Sequence, residues 1–122
     1  MSLKLPALLL AFSLVSCTSL PHETFLVVPG NANVEAQLNN NRGITEFESG
    51  SPTKAQRYFE QAVEADQALP QPHYNLGLAL YRLGKRMEAE KHFSKAASLA
   101  PSDPIISNYR KVYVQEDMPE SP

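Results

Sequence analysis

The residues of this chain that could do chemistry are three histidines and one cysteine, and their spacing favours none of the usual reactions. His22, His73 and His92 are dispersed, with no H-E-x-x-H pair and no carboxylate pair at metal-ligand spacing. The sequence also lacks G-x-S-x-G, a P-loop and G-x-G-x-x-G. We therefore predict no enzyme activity, no catalytic residue, no metal and no cofactor, and we expect His73 to serve in helix packing.

Cys17 is the only cysteine, and its surroundings predict an anchor rather than a nucleophile. Lys4 precedes an apolar stretch from Leu5 to Val15, which is shorter than the roughly 20 residues that a membrane-spanning helix needs. A positive start, a short apolar middle and small residues at the end are typical of an export signal. We therefore assign residues 1–16 to a signal peptide and exclude them from the fold.

The residues Leu14-Val15-Ser16-Cys17 resemble the lipobox of bacterial lipoproteins. The resemblance implies that Cys17 becomes the mature N-terminus and carries lipid on its sulfur and its amine. Two or more acyl chains hold a protein firmly on a bilayer. Thr18 stands where enterobacterial lipoproteins of the inner membrane have aspartate, which implies the outer membrane, facing the periplasm. The alternative is an ordinary signal peptide that is cleaved elsewhere.

The composition is that of an ordinary folded domain and does not favour nucleic acid. Of the 122 residues, 43% are apolar and 20% are charged, and the formal net charge is −2. Proteins that bind nucleic acid usually concentrate positive charge, so we predict no such partner. The ten prolines keep the helices short. Residues 116–122 combine acids and prolines with little to bury, which predicts a disordered acidic tail.

An internal repeat with an offset of 34 residues organises the middle of the chain. The offset aligns five identical pairs: Gly43 with Gly77, Gly50 with Gly84, Ala55 with Ala89, Phe59 with Phe93, and Ala62 with Ala96. Small residues allow two antiparallel helices to approach closely. We expect glycine and alanine to set this approach, and the phenylalanines to fill the layer between neighbouring helices, in a domain over residues 34–115.

Apolar spacing predicts two helices in the second copy. Pro72 can open the first of them, because a first-turn residue needs no N–H partner, and Gly84 ends it. A second apolar stripe follows and stops at Pro101.

The first copy has the same plan. Its leading helix is predicted over about Val34–Ser49, and Ser51-Pro52 supplies an N-cap followed by a favoured first-turn residue. A fifth helix is expected to begin at Ser102 and to run to Val112 or Tyr113 as a cap on the second repeat.

The second copy is similar to the tetratricopeptide repeat, a helix-turn-helix unit of about 34 residues. The matching positions are Tyr74, Asn75, Leu76, Gly77, Leu80, Gly84, Ala89, Phe93, Ala96, Leu99 and Pro101. The resemblance implies an all-α fold, a short α-solenoid of two helix hairpins plus a C-terminal capping helix. His73, and Asn39 in the first copy, depart from the large aromatic residue that is usual in the family.

The same resemblance implies a concave groove that is lined by the first helix of each unit and that receives a partner segment. Its implied positions are Asn40, Ile44, Phe47, Glu48, Tyr74, Leu78, Tyr81, Arg82, Asn108 and Val112. Of these we predict partner contacts for Ile44, Phe47, Tyr74, Leu78, Tyr81 and Arg82. Leu78 and Tyr81 also lie off the apolar stripe of their helix, and such exposed patches mark interaction sites.

Residues 17–33 are predicted to be the lipidated N-terminus and a linker with one apolar segment. Phe25-Leu26-Val27-Val28 favours an extended conformation and needs cover from water. Two occupants of the groove remain open, a protein or peptide partner and this segment itself. An intramolecular segment is already present, whereas a partner must be imported.

Two functions follow. The first is a membrane-anchored periplasmic scaffold for protein–protein interaction, which binds a partner segment in the groove during assembly of an envelope or secretion complex. The alternative is a structural or self-associating envelope lipoprotein whose groove is filled by its own linker or by a second copy.

Overall fold

The structure, a computed structural model, describes residues 23–114. Within that range every regular element is helical. The elements are α1 (Val34–Glu48), α2 (Pro52–Ala65), α3 (Pro70–Arg82), α4 (Arg86–Leu99), α5 (Pro104–Ser107) and a π-helical turn (Arg110–Val114). The predictions for the signal peptide, Cys17, His22 and the acidic tail lie outside the described residues.

The helices form two hairpins that stack side by side. Helix α1 packs on α2, and α3 packs on α4, while the contact of α2 with α3 joins the two hairpins. Helices α1 and α3 also touch each other. The prediction of an all-α short solenoid of two hairpins is therefore confirmed.

Each hairpin turns at a glycine in the left-handed region, Gly50 with a φ of +88° and Gly84 with a φ of +78°. The Gly50 N–H donates to the carbonyl of Phe47 over 3.0 Å, and the Ser51 N–H donates to that of Glu46 over 2.8 Å. This pair of bonds is the Schellman motif, and the second hairpin repeats it with bonds of 3.0 and 2.9 Å. Because a β-carbon is strained at such φ values, the glycine spacing fixes both turns.

Close approach inside each hairpin depends on a glycine that faces a phenylalanine. A β-carbon on Gly43 would lie 2.5 Å from the Phe59 ring, and one on Gly77 would lie 2.6 Å from the Phe93 ring. Both rings are buried at the centre of the core. The role predicted for the repeated glycines and phenylalanines is thus confirmed.

Two helix starts differ from the prediction. Ser51 occupies the N-cap position of α2, but its side chain makes no capping hydrogen bond, because its ψ of 69° is far from the extended geometry of a capping residue. Helix α3 begins at Pro70 rather than Pro72. Leu69 is extended, and neither proline of the first turn leaves an N–H without a partner.

The single fifth helix that we predicted is interrupted. Helix α5 ends at Ser107, and the chain continues as the π-helical turn. The break accompanies the packing of two tyrosines on one ring, since Tyr109 and Tyr113 both stack on Phe93 with centroid distances of 5.3 and 5.2 Å. Ile106 is fully buried in the same cluster. This end of the chain therefore caps the second hairpin, as predicted, but in two pieces.

The glycine contacts give a test of the fold. Gly43→Ala gains about 1 kcal/mol in helix propensity, but overpacking typically costs 1–3 kcal/mol, and here the Phe59 ring must move. We expect a net loss in the free energy of unfolding, of order 1 kcal/mol, in urea titrations followed by circular dichroism. Gly30→Ala is the matched control, because nothing lies within 4 Å of its added β-carbon. Equal stability of the Gly43→Ala variant and the unmodified protein would contradict this packing.

Candidate functional site

The side of the solenoid formed by α1 and α3 is occupied by residues 23–28 of the chain itself, which we call the strap. The strap has no regular secondary structure. Its centre is Leu26, whose N–H donates to Oδ1 of Asn75 over 2.9 Å. The carbonyl of Leu26 accepts from Nδ2 of Asn75 over 2.8 Å and from Nδ2 of Asn40 over 2.9 Å. The groove therefore holds the strap by both polar groups of one residue's main chain.

Asn40 and Asn75 act as a connected pair, which we call the clamp. Both are fully buried, and Nδ2 of Asn75 also donates to Oδ1 of Asn40 over 2.8 Å. A carboxamide offers a donor and an acceptor side by side, which matches the N–H and C=O of an extended chain. Such recognition does not depend on which side chain the bound residue carries.

Aromatic packing holds the strap beside this main-chain contact. The Phe25 ring lies 4.7 Å from the Phe47 ring and 6.1 Å from the Phe59 ring, measured between centroids. Val28 is buried, whereas Val27 is 68% exposed. Leu26 also packs against the core cluster, so Val27 is the apolar side chain of the strap that lies largely in solvent.

The beginning of the strap is held by charge. An oxygen of Glu23 lies 2.8 Å from Nη2 of Arg82, whose guanidinium also sits over the Phe47 ring at 5.2 Å. The Arg82 side chain is 45% exposed, so this ion pair adds little stability. Its role is to fix which end of the strap lies at the C-terminal end of α3.

The predicted site residues fall into two groups. Phe47 and Arg82 contact the strap directly, as does Asn40, and Ile44 packs on the same core. Tyr74 and Leu78 are buried. The Tyr74 ring packs on Phe93, and burial, with Tyr113 beside it, raises the pKa of Tyr74. Tyr81 is half-buried against Tyr113. Glu48, Asn108 and Val112 are exposed.

The expectation that Leu78 belongs to an exposed patch is therefore wrong, because its side chain is fully buried in the core cluster. Phe25 and Leu26 are partly buried and pack against that cluster. Of the two occupants left open by the sequence, the chain's own segment is the one in the groove.

Asn75 and Glu23 are functional residues that sequence reasoning missed. Asn75 is one of the positions of the repeat signature, but its carboxamide is buried and therefore needs hydrogen-bond partners. Glu23 lies two residues before Phe25, outside the apolar segment Phe25-Leu26-Val27-Val28 that the sequence pattern singles out. At the repeat offset of 34 residues Asn75 aligns with Asn41, and Asn40 lies one position earlier, so the repeat does not pair the two clamp residues. The signal in the sequence is the presence of asparagine within both leading helices.

Two histidines meet outside the groove. Nδ1 of His73 lies 3.4 Å from Nδ1 of His92, and Nε2 of His73 lies 3.0 Å from the carbonyl of Gln67. Because a carbonyl only accepts, Nε2 carries the proton and Nδ1 of His73 accepts from His92. The packing role predicted for His73 is confirmed. Among residues 23–114 no group of three potential ligands could hold a metal ion.

The clamp yields a prediction for Asn75→Ala. The variant removes both hydrogen bonds to Leu26 and the bond to Asn40, and we expect a loss of about 1–3 kcal/mol in the free energy of unfolding. The Leu26 amide should also exchange its hydrogen much faster, as followed by nuclear magnetic resonance. Asn41→Ala, at an exposed neighbour, is the control. Unchanged exchange at Leu26 in the Asn75→Ala variant would show that the clamp does not hold the strap.

The histidine pair predicts a dependence of stability on pH. Burial lowers the pKa of His73, assisted by Lys95, and burial followed by the charge of His73 lowers that of His92. The Gln67 carbonyl, Glu60 and Glu88 oppose these shifts, while Lys91 adds to that of His92.

The unfolded chain therefore takes up protons first. The free energy of unfolding should fall as pH drops from about 7 through 6.5 and toward the lower pKa values of the folded state. Urea titrations at pH 7.5 and 5.5 measure the difference, which should shrink in the His92→Gln variant. A pH dependence that is unaffected by this substitution would count against the pair.

Comparison with known protein families agrees with this architecture. The tetratricopeptide repeat family matches twice, over residues 36–69 and over residues 70–103. No curated protein and no solved structure matches the chain. The two matches follow one another directly, cover more than half of the chain, and correspond to the α1–α2 and α3–α4 hairpins. The chain therefore belongs to the tetratricopeptide repeat family.

Proposed function

We propose that this protein is a scaffold for protein–protein interaction whose groove binds an extended segment of a partner. Tetratricopeptide repeats generally mediate such interactions and are typically non-catalytic. The observation that carries the proposal is the set of hydrogen bonds that join Asn40 and Asn75 to the main chain of Leu26. It supports an extended segment as the form of the ligand.

Main-chain recognition suits a partner segment, because every residue except proline presents the same N–H and C=O pair. The side-chain contacts on either side of the clamp add selectivity, through Phe47 for an aromatic ring and through Arg82 for an acid. The groove thus combines a main-chain contact that accepts almost any residue with side-chain contacts, through Phe47 and Arg82, that select particular residues. This division is typical of extended peptides bound along an exposed face.

We further propose that the scaffold is a lipoprotein anchored through Cys17, in the outer membrane and facing the periplasm, and that it serves in assembly of an envelope or secretion complex. The lipobox-like Leu14-Val15-Ser16-Cys17 supports the anchor. Within residues 23–114 no helix is long and apolar enough to cross a bilayer. The strap begins six residues after Cys17, so the groove would work close to the anchor.

A second candidate function has its own observation in favour. The strap already fills the groove of a single chain. The protein would then be a structural or self-associating envelope lipoprotein, in which the groove serves folding or pairing with a second copy. The two candidates differ in whether a foreign chain ever reaches the groove.

Photo-crosslinking in cells separates them. A benzophenone side chain at Glu48, on the rim beside Glu23 and Phe25, should crosslink to a partner protein, whereas one at Lys91, exposed on α4, should not. Cys17→Ser should move the protein from the membrane to the soluble fraction.

Adducts of a single chain with its own copy, or no adducts from either position, would support the second candidate instead. Equal adducts from both positions would argue against the groove. A Cys17→Ser variant that stays with the membrane would argue against the lipid anchor.

A further inference from the structure

The strap shows what the groove recognises, position by position. Glu23 pairs with Arg82, and Phe25 enters between aromatic rings. Leu26 is held by its main chain and also packs its side chain against the core, and Val28 is buried. Val27 contributes nothing to the core, since its side chain is largely exposed. The groove therefore recognises an acid at the position of Glu23 and an aromatic residue at that of Phe25. It recognises aliphatic residues at the positions of Leu26 and Val28.

The direction of the bound chain is also fixed. Glu23 contacts Arg82, the last residue of α3, whereas Leu26 contacts Asn75 near the middle of that helix. The strap therefore runs antiparallel to α3. A segment of the same composition in reverse order would place its acid away from Arg82.

The strap is held in a way that permits exchange. The ion pair between Glu23 and Arg82 is partly exposed, and the Phe25 side chain is only partly buried. Residues 29–33 connect it to α1 through a turn in which the N–H of Ala32 donates to the carbonyl of Pro29 over 3.0 Å. A tether this short gives the strap a high effective concentration, of millimolar order, at its own groove.

We propose that the strap is an intramolecular competitor for the groove, and that the partner is a protein presenting an extended segment with the strap's own pattern, acid-x-aromatic-aliphatic-x-aliphatic. This inference rests on the proposed function and names the chemistry of its partner. The groove is available only in the fraction of molecules whose strap has left, so the apparent affinity for the partner is reduced by that fraction.

The test uses the full chain purified in detergent and a fluorescent peptide with the strap sequence Glu-Thr-Phe-Leu-Val-Val. Phe25→Ser in the protein weakens the strap and leaves every groove residue intact. Fluorescence anisotropy should show binding at least about tenfold tighter to the Phe25→Ser variant than to the unmodified protein. Glu23→Lys serves as a second strap variant, because it reverses the charge that faces Arg82 and leaves every apolar side chain of the strap unchanged. Circular dichroism verifies the fold of each variant.

Three controls define the recognition. The reversed peptide Val-Val-Leu-Phe-Thr-Glu should bind much more weakly, although its composition is identical. Adding Asn75→Ala to the Phe25→Ser variant should abolish binding of the strap peptide. Adding Arg82→Glu should weaken it, and a peptide with lysine in place of its glutamate should restore it.

The outcomes separate this inference from the proposed function. The inference would be overturned if the forward and reversed peptides bound with equal affinity. It would also be overturned if the strap peptide bound the Phe25→Ser variant no more tightly than the unmodified protein. Binding of unrelated extended peptides but not of the strap sequence would also overturn it and leave the proposed function standing. No peptide binding, together with no crosslinks from Glu48, would remove both.

A second copy is the remaining occupant. Sedimentation of the unmodified protein should show a monomer. A dimer that dissociates in the Phe25→Ser variant would mean that straps exchange between chains, and it would overturn the proposal of a separate partner.

Discussion

The groove depends on two buried carboxamides that must have hydrogen-bond partners. Asn40 and Asn75 are fully buried, and the Leu26 peptide groups, with one bond between the two side chains, satisfy them. A buried polar group without a partner costs about 1–3 kcal/mol. An extended chain in the groove is therefore part of the structure's energy balance, and if the strap leaves, water or another chain must replace it.

The repeat creates this clamp by geometry. The Gly43 and Gly77 contacts bring each leading helix close to its partner, and the Schellman turns give both hairpins the same shape. Stacking two equal hairpins places α1 and α3 side by side. Asn40 and Asn75 then come within hydrogen-bond distance of each other and of one shared peptide unit, which neither hairpin could grip alone.

The sequence predicted the two helix hairpins, which repeat, and left open the docking of the strap, which occurs once. Paired identities such as Gly43 with Gly77 carry the hairpins, because the same steric need occurs twice. The strap has no second copy and no period, so its docking depended on contacts with helices distant in sequence, such as that of Leu26 with Asn75. The interruption after Ser107 likewise follows from tertiary packing of tyrosines on Phe93, which local helix signals do not report.

The balance of forces on the strap explains why it can be both well placed and exchangeable. Ordering its backbone costs about 1–2 kcal/mol per residue. Against this stand three hydrogen bonds at Leu26, each worth roughly 0.5–1.5 kcal/mol. Burial adds roughly 1.5–3 kcal/mol for the buried Val28 side chain and up to about that much for each of the partly buried Phe25 and Leu26 side chains. The opposing totals are of similar size. The covalent tether favours the docked strap. A partner that makes the same contacts through a more rigid segment loses less entropy on binding and can therefore displace the strap.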